Sequence, residues 1–183
     1  DRSRGAAAAE PDEPESQGPE ELVSPPAAPA RWGSGEAEIV SVRFLDGQGR
    51  ERTVLETGAP MIIEVQYRAH RRIDEPVFGV AFFRKDGAHV SGSNTKLAGY
   101  RLGAISGQGR VRSRVEALPL LEGEYALSVA IHSADGAQNY DYRDLYYPFR
   151  VELGSATPHQ GLVHIQASWE HARDGDDAKD QSP

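Results

Sequence analysis

The chain alternates apolar and polar residues in short runs, and the runs are separated by turn-forming pairs. EAEIVSVRFL leads into the turn DGQG at Asp46 to Gly49. After Gly58-Ala59-Pro60, MIIEVQYRA places Met61, Ile63, Val65 and Tyr67 on one face and Glu64, Gln66 and Arg68 on the other. PVFGVAFFR meets Asp86-Gly87, a common hairpin pair, and AHVSG follows. GRVRSRVEA alternates again, with Val111 and Val115 opposed by Arg110, Arg112 and Arg114. EYALSVAIH, YPFRVEL and LVHIQASW complete about eight strands, and no window of helical period intervenes. Strands at this spacing predict an all-β protein, an antiparallel β-sandwich.

One local pattern sharpens that expectation. In LPLLEGEYALSVAI, Leu118 and Leu121 precede Gly123, and Tyr125 opens the next strand. This is the layout of a tyrosine corner, in which the Tyr hydroxyl bonds back to the preceding backbone. The alternative is that Tyr125 is only the first core residue of its strand.

Two runs break the alternation and so suggest a surface. In EYALSVAIH the inward set is Tyr125, Leu127, Val129 and Ile131, which leaves Ala126, Ser128, Ala130 and His132 outward. Small outward residues on a central strand predict a shallow trough rather than a charged, solvated face. PVFGVAFF is apolar on both parities, whereas a strand with one wet face alternates. Its second face is therefore expected to be covered by a partner subunit, a long loop or a ligand. Ala137 to Tyr147 (AQNYDYRDLYY) reads as a loop crowded with aromatics and amides, the mix that stacks on sugar rings and bonds their hydroxyls. Tyr140, Tyr142, Tyr146 and Tyr147 are equally readable as ordinary sandwich aromatics.

Composition confines the foldable part. Asp1 to Ala30 carries seven acids and two bases with almost nothing to form a core, and reads as a disordered linker. Residues 172–183 read as a disordered tail, and the domain occupies 31–171. The net charge of −8 belongs mostly to these ends, which argues against a nucleic-acid or anionic-membrane surface. The absence of cysteine removes disulfide and zinc-cluster frameworks and suits a reducing cytoplasm. The N-terminus has neither the apolar stretch of a signal peptide nor that of a membrane helix, and the first residue is not Met, so the chain reads as a piece of something longer.

Catalytic signatures are missing. GxxxxGK[ST], GxSxG and HExxH do not occur, and the six histidines show no paired ligand spacing. Asp86, Asp135 and Asp141 sit in turn contexts, where a turn role is the first reading and a calcium site the second. Neither an enzymatic activity nor a cofactor or metal is expected of this chain.

Three segments in order carry a family resemblance: RWGSGEAEIVSVRFLDGQGR (31–50), EPVFGVAFFRKDGAHVSGSNT (75–95) and EGEYALSVAIHSADGAQNYDYRDLYYPFRV (122–151). Together with the closing GLVHIQASWEH, they resemble the C-terminal domain of the ATP-binding subunit of O-antigen ABC transporters, the Wzt type. The resemblance implies an immunoglobulin-like sandwich joined by a flexible linker to an ATPase domain absent from this chain. It implies binding of O-polysaccharide, in several members at a modified non-reducing end, so that finished chains are exported. It also implies a cytoplasmic place at the inner face of the inner membrane beside the transporter's membrane subunit, and a homodimer with exchanged C-terminal strands. A dimer would also cover the doubly apolar strand. The candidate sugar-binding set is Ala126, Ser128, Ala130 and His132 on the sheet, Asn139, Tyr140, Asp141 and Tyr142 at the rim, and Asn94 and Arg84 beside it. The arginine row of 110, 112 and 114 is the rival face. A protein-interaction module without direct glycan contact is the rival function.

Overall fold

The computed structural model describes residues 29–154 and 160–169. Within them lie nine strands: β1 (Ala30–Trp32), β2 (Ala37–Asp46), β3 (Val54–Glu56), β4 (Met61–Ile73), β5 (Pro76–Arg84), β6 (His89–Asn94), β7 (Ile105–Val115), β8 (Gly123–Ser133) and β9 (Asn139–Glu152). One sheet has the order β1-β9-β8-β5-β6, with β3 added in parallel to the far end of β9. The second sheet has the order β2-β4-β7, and every pairing other than β3–β9 is antiparallel. The expected all-β sandwich is the observed one.

The core lies between the two sheets and is filled by the inward parities read from the sequence. Met61, Ile63 and Val65 from β4 meet Tyr125, Leu127, Val129 and Ile131 from β8, with Phe44, Phe78, Phe149 and Val151 closing the layer. The tyrosine corner is present, for the Tyr125 hydroxyl donates to the Leu121 carbonyl at 2.7 Å in a buried setting. Its ring stacks on Phe149 at 5.6 Å.

Four expectations need correction. The segment from Ala137 to Tyr147 is not a loop, because Asn139 onward belongs to the long strand β9. Its turn-like composition reflects a wide bulge: Leu127 pairs with Tyr147 and Val129 with Arg143, so Asp144, Leu145 and Tyr146 all face Ser128. Leu145 takes φ 50° there. LVHIQASW forms no strand; Val163 makes a single bridge to Leu120, and residues 164–169 have no regular secondary structure. Ala30 opens β1, and the short strand β3 went unread because its three residues barely alternate.

The doubly apolar β5 is covered largely by its own chain. Phe78, Val80 and Phe82 pack on the core. On the other parity Val77 is buried beside the 95–103 loop, and Phe83 packs on His89 at 4.9 Å. Gly79 and Ala81 remain, and they are small. The disorder expected of 1–30 and of 172–183 concerns residues outside those described, apart from 29 and 30.

Candidate functional site

The outer face of the larger sheet carries a shallow trough of about 220 Å³ where the sequence placed one. Its geometry is set by a single row of paired residues crossing five strands: Asn94 opposite Gly79, Gly79 opposite Ala130, Ala130 opposite Tyr142, and Tyr142 opposite Trp32. Neighbouring strands stand about 4.8 Å apart, so roughly 14 Å of sheet separates Asn94 from Tyr142 with no side chain larger than a methyl between them. Ala81 and Gly92 repeat the pattern one row along. Leu97 stands at one wall, fully three-quarters exposed, and Tyr142 at the other.

The polar groups at the rim are partly committed. The Asn94 Oδ1 accepts the Leu97 backbone N–H at 2.8 Å, which leaves the amide nitrogen as its donor. His132 Nδ1 lies 2.8 Å from the Ser133 carbonyl, so that nitrogen carries the proton and Nε2 remains as an acceptor in the neutral ring. Burial, together with the nearby Asp144 carboxylate, raises the Tyr142 hydroxyl above its ordinary pKa, so the ring stays neutral.

The remaining candidates are committed to other partners or lie elsewhere. Ser128 is only 2 % exposed, because its hydroxyl donates to Asp144 at 2.6 Å and accepts the Leu145 N–H at 2.8 Å. It anchors the β9 bulge through these two bonds and still lines the trough, with its hydroxyl already committed. Ala126 and Arg84 lie beyond that bulge in a separate hollow shared with Pro148 and Lys85. Arg84 pairs with Tyr125, about 17 Å along β5 from Gly79, and its guanidinium is engaged by Asp86, whose carboxyl it holds down to about 2. Tyr140 is buried in the core and is not a sugar platform. Asn139 is exposed at the start of β9, opposite His132.

Asp141 is the largest departure. It is not in a turn; it is 2 % exposed and accepts from Arg31 at 2.9 Å and from the Ile39 backbone N–H at 2.8 Å. Both carboxylate oxygens, offered to sugar hydroxyls in the sequence reading, accept from the protein instead. Asp86 and Asp135 do sit in turns, accepting the N–H groups of Ala88 and Ala137. Among the described residues no cluster of three or more His, Asp or Glu is arranged to hold a metal ion.

The rival arginine row is partly neutralised. Arg112 donates to Glu64 at 2.7 Å and Arg114 to Glu116 at 3.0 Å. Glu64 lies beneath Arg43 and Arg112, with no exposed side-chain surface, and these guanidiniums hold its carboxyl at about 2.

What sequence reasoning missed is Trp32. Its ring lies on Tyr142 with centroids 4.3 Å apart and planes within 10°. The signal available was one exposed aromatic next to a Gly-Ser-Gly turn, which says nothing of its partner 110 residues away.

The Wzt C-terminal domain family matches residues 28–165, a span that includes both sheets and the trough. The chain belongs to that family. Membership in the Wzt C-terminal domain family connects it with O-antigen export. The crystal structure of the C-terminal domain of Wzt superposes with a TM-score of 0.69 at 20 % identity, covering 79 % of this chain and 89 % of that one. At that identity the likeness is one of fold. A Pseudomonas fluorescens alkylpurine DNA glycosylase bound to DNA containing an abasic site analog (TM-score 0.41, 13 % identity, 64 % of this chain and 31 % of that one) and a Parabacteroides merdae β-glucuronidase (TM-score 0.39, 11 % identity, 63 % and 13 %) share less of it. No curated protein matches. Among the described residues no helix is long and apolar enough to cross a membrane.

Proposed function

We propose that this Wzt C-terminal domain binds O-polysaccharide in the trough, and so couples recognition of the finished chain to export by the ABC transporter. The observation that carries the reading is the row Asn94–Gly79–Ala130–Tyr142. A solvent-facing sheet ordinarily carries charged or branched side chains. Here the floor is glycine and alanine, one wall is an aromatic face and the other offers an amide. A pyranose ring lying on that floor presents C–H groups to Tyr142 and hydroxyls to Asn94 and His132. The modified non-reducing end is the part of the polymer we assign to the site. Its place is cytoplasmic, beside the transporter's membrane subunit. Binding is expected in the micromolar range or weaker, because each sugar hydroxyl exchanges water for protein bonds with net gains of about 1 kcal/mol.

Isothermal titration of the chain with purified O-polysaccharide from the source strain tests this. Saturable heat from the wild type, lost in Ala130→Arg at unchanged melting temperature, supports the reading. No heat from the wild type sinks it.

A second feature favours assembly alongside binding. Ile165 and Trp169 are 75 % and 98 % exposed, on a segment without regular secondary structure that is anchored by the Leu121 N–H to the Leu162 carbonyl at 3.1 Å. Such a segment suits pairing with a second copy of the chain, with the C-terminal strands exchanged.

A further inference from the structure

The residue row that floors the trough does not end at its aromatic wall. Residues opposite each other on adjacent strands have Cβ atoms about 5 Å apart, and the Trp32–Tyr142 centroid distance of 4.3 Å matches that gap. Both rings therefore stand upright on the sheet, face to face along the direction that runs from strand to strand. Trp32 covers one face of Tyr142. The other face is on the side of Ala130, the residue opposite Tyr142 on β8, and both residues line the trough. A ring seated on Ala130 would complete a stack of three: ligand, Tyr142, Trp32.

Trp32 is the last residue of β1, the first strand of the domain and an edge strand of three exposed residues. β1 is held by its pairing with Asp144 to Tyr142, by the Arg31–Asp141 ion pair at 2.9 Å, and by the stack. The next residue, Gly33, has φ +146°, and a Cβ there would stand 2.4 Å from the Tyr140 carbonyl oxygen. The chain beyond β1 thus lies directly on β9, and Ser34 and Gly35 donate to the Asn139 and Tyr140 carbonyls at 3.0 and 2.9 Å. Short terminal edge strands sit at the low end of local stability. A small added interaction therefore shifts how much of the time β1 is docked.

We propose that Trp32 is a positioning residue of the trough, and that filling the trough locks β1 onto the sheet. This inference rests on the glycan reading of the trough. Trp32 holds the Tyr142 ring upright, with its free face presented over Ala130. A ligand ring on that face in turn removes the side-chain rotations by which Tyr142 leaves Trp32. The two effects are one coupling free energy, so docked β1 raises ligand affinity by the same factor by which ligand favours docked β1. Occupancy of the trough is thereby carried to Ala30, at the point where the chain enters the domain. The device gives a sugar-binding sheet a means of reporting outward along the backbone.

The test uses the full chain with Trp169→Phe, which leaves Trp32 as its sole tryptophan. Purified O-polysaccharide from the source strain is titrated while calorimetric heat and Trp32 fluorescence are followed, and amide exchange of residues 30–35 is compared with and without it. The expected result is a Trp32 signal that saturates with the heat, together with slowed exchange at 30–35. Trp32→Ala should weaken binding by about threefold to tenfold, the range for one aromatic stack, and Trp32→Phe should restore most of it. A ligand-free arm stands beside this one. Tyr142→Ala should speed exchange at 30–32 and make Trp32 more accessible to acrylamide. Heat of binding with no change in Trp32 or in exchange would overturn the coupling while leaving the glycan reading intact. Unchanged exchange in Tyr142→Ala would overturn it without any ligand. No heat at all would remove the glycan reading, and this inference with it.

Discussion

Asp141 in β9 accepts the backbone N–H of Ile39 in β2 across the sandwich at 2.8 Å. Arg143, on the same face of β9, donates to the carbonyl of that same Ile39. The register of β2 against β4 slips between Ile39 and Ser41, and a slip of this kind leaves backbone groups without a ladder partner. Two side chains from the opposite sheet supply what the ladder lacks. Asp141 also meets Arg31, so one carboxylate joins β1, β2 and β9.

Truncating that carboxylate should therefore be costly to the fold. Asp141→Ala leaves the Ile39 N–H and the Arg31 guanidinium without their acceptor, and removes the carboxylate that stands 3.5 Å from Arg143, itself only 12 % exposed. Loss of one partner from such a set costs about 3 kcal/mol. Urea denaturation should show a fall of that size, with Asp141→Asn, which keeps one oxygen, losing less. A change within about 0.5 kcal/mol, the range of ordinary surface substitutions, would contradict the bracket.

Acid should probe Glu64 separately. Arg43, and then Arg112, hold its carboxyl at about 2 against an ordinary 4.5, with burial opposing them. Because the folded value is the lower one, the unfolded chain takes up the proton first as pH falls. The stability Glu64 contributes is present above about pH 4.5 and drains between there and about pH 2. Asp46 and Asp86 are also held at about 2 and shape the same acid limb, but they are unchanged in Glu64→Gln. Urea midpoints at several pH values should show the wild type losing more stability than Glu64→Gln across that window. Parallel curves would mean that the two guanidiniums gain nothing from the carboxylate.

How much of this was legible follows from where the determinants lie. The alternation of Met61, Ile63 and Val65 and of Tyr125, Leu127, Val129 and Ile131 is a local, period-two signal, and both strands bury the faces it indicated. The small outward residue Ala130 likewise marks the trough, since side-chain size is written at each position, whereas Gly79 reads only as part of a strand apolar on both parities. Partners were not so written. Asp141 beside tyrosines and an arginine looks like a loop acid until Ile39 arrives from 102 residues away. Ser128 lines the trough as its small size suggests, but its hydroxyl is taken up by Asp144 and Leu145 of the β9 bulge, and nothing in DYRDLYY marks three residues facing one. Trp32 joined the site through a pairing across the whole length of the fold.

The C-terminal segment should determine assembly. Burying an exposed Ile or Trp side chain is worth about 1.5–3 kcal/mol, and a two-fold interface counts each residue twice. Ile165 and Trp169 lie open to solvent on their own protomer. Light scattering should find the full chain dimeric, and a chain ending at Leu153 monomeric but folded. A full chain that stays monomeric at high concentration would refute exchange of these strands.

The trough itself is best tested from its floor. Gly79 lies midway along the row, between Ala130 and Asn94. A Cβ built on it meets the Asn94 Cβ at 3.5 Å and the Ser93 carbonyl oxygen at 3.7 Å, both ordinary contacts, and its backbone lies outside the left-handed region. A larger residue is thus admitted without strain, and a β-branched one suits a strand. Gly79→Val should fold as well as the wild type or slightly better, because glycine in a strand interior is a weak choice for stability alone. Its two methyl groups, however, would occupy the space proposed for the sugar ring. O-polysaccharide affinity should fall by at least about tenfold, the equivalent of roughly 1.4 kcal/mol. Gly79→Ala, adding one methyl, should fall between. A dimer and a melting temperature equal to the wild type's would exclude an indirect cause. Undiminished binding by Gly79→Val would instead take the sugar off this row and move the search to the opposite sheet, where Arg110, Arg112 and Arg114 share one face of β7.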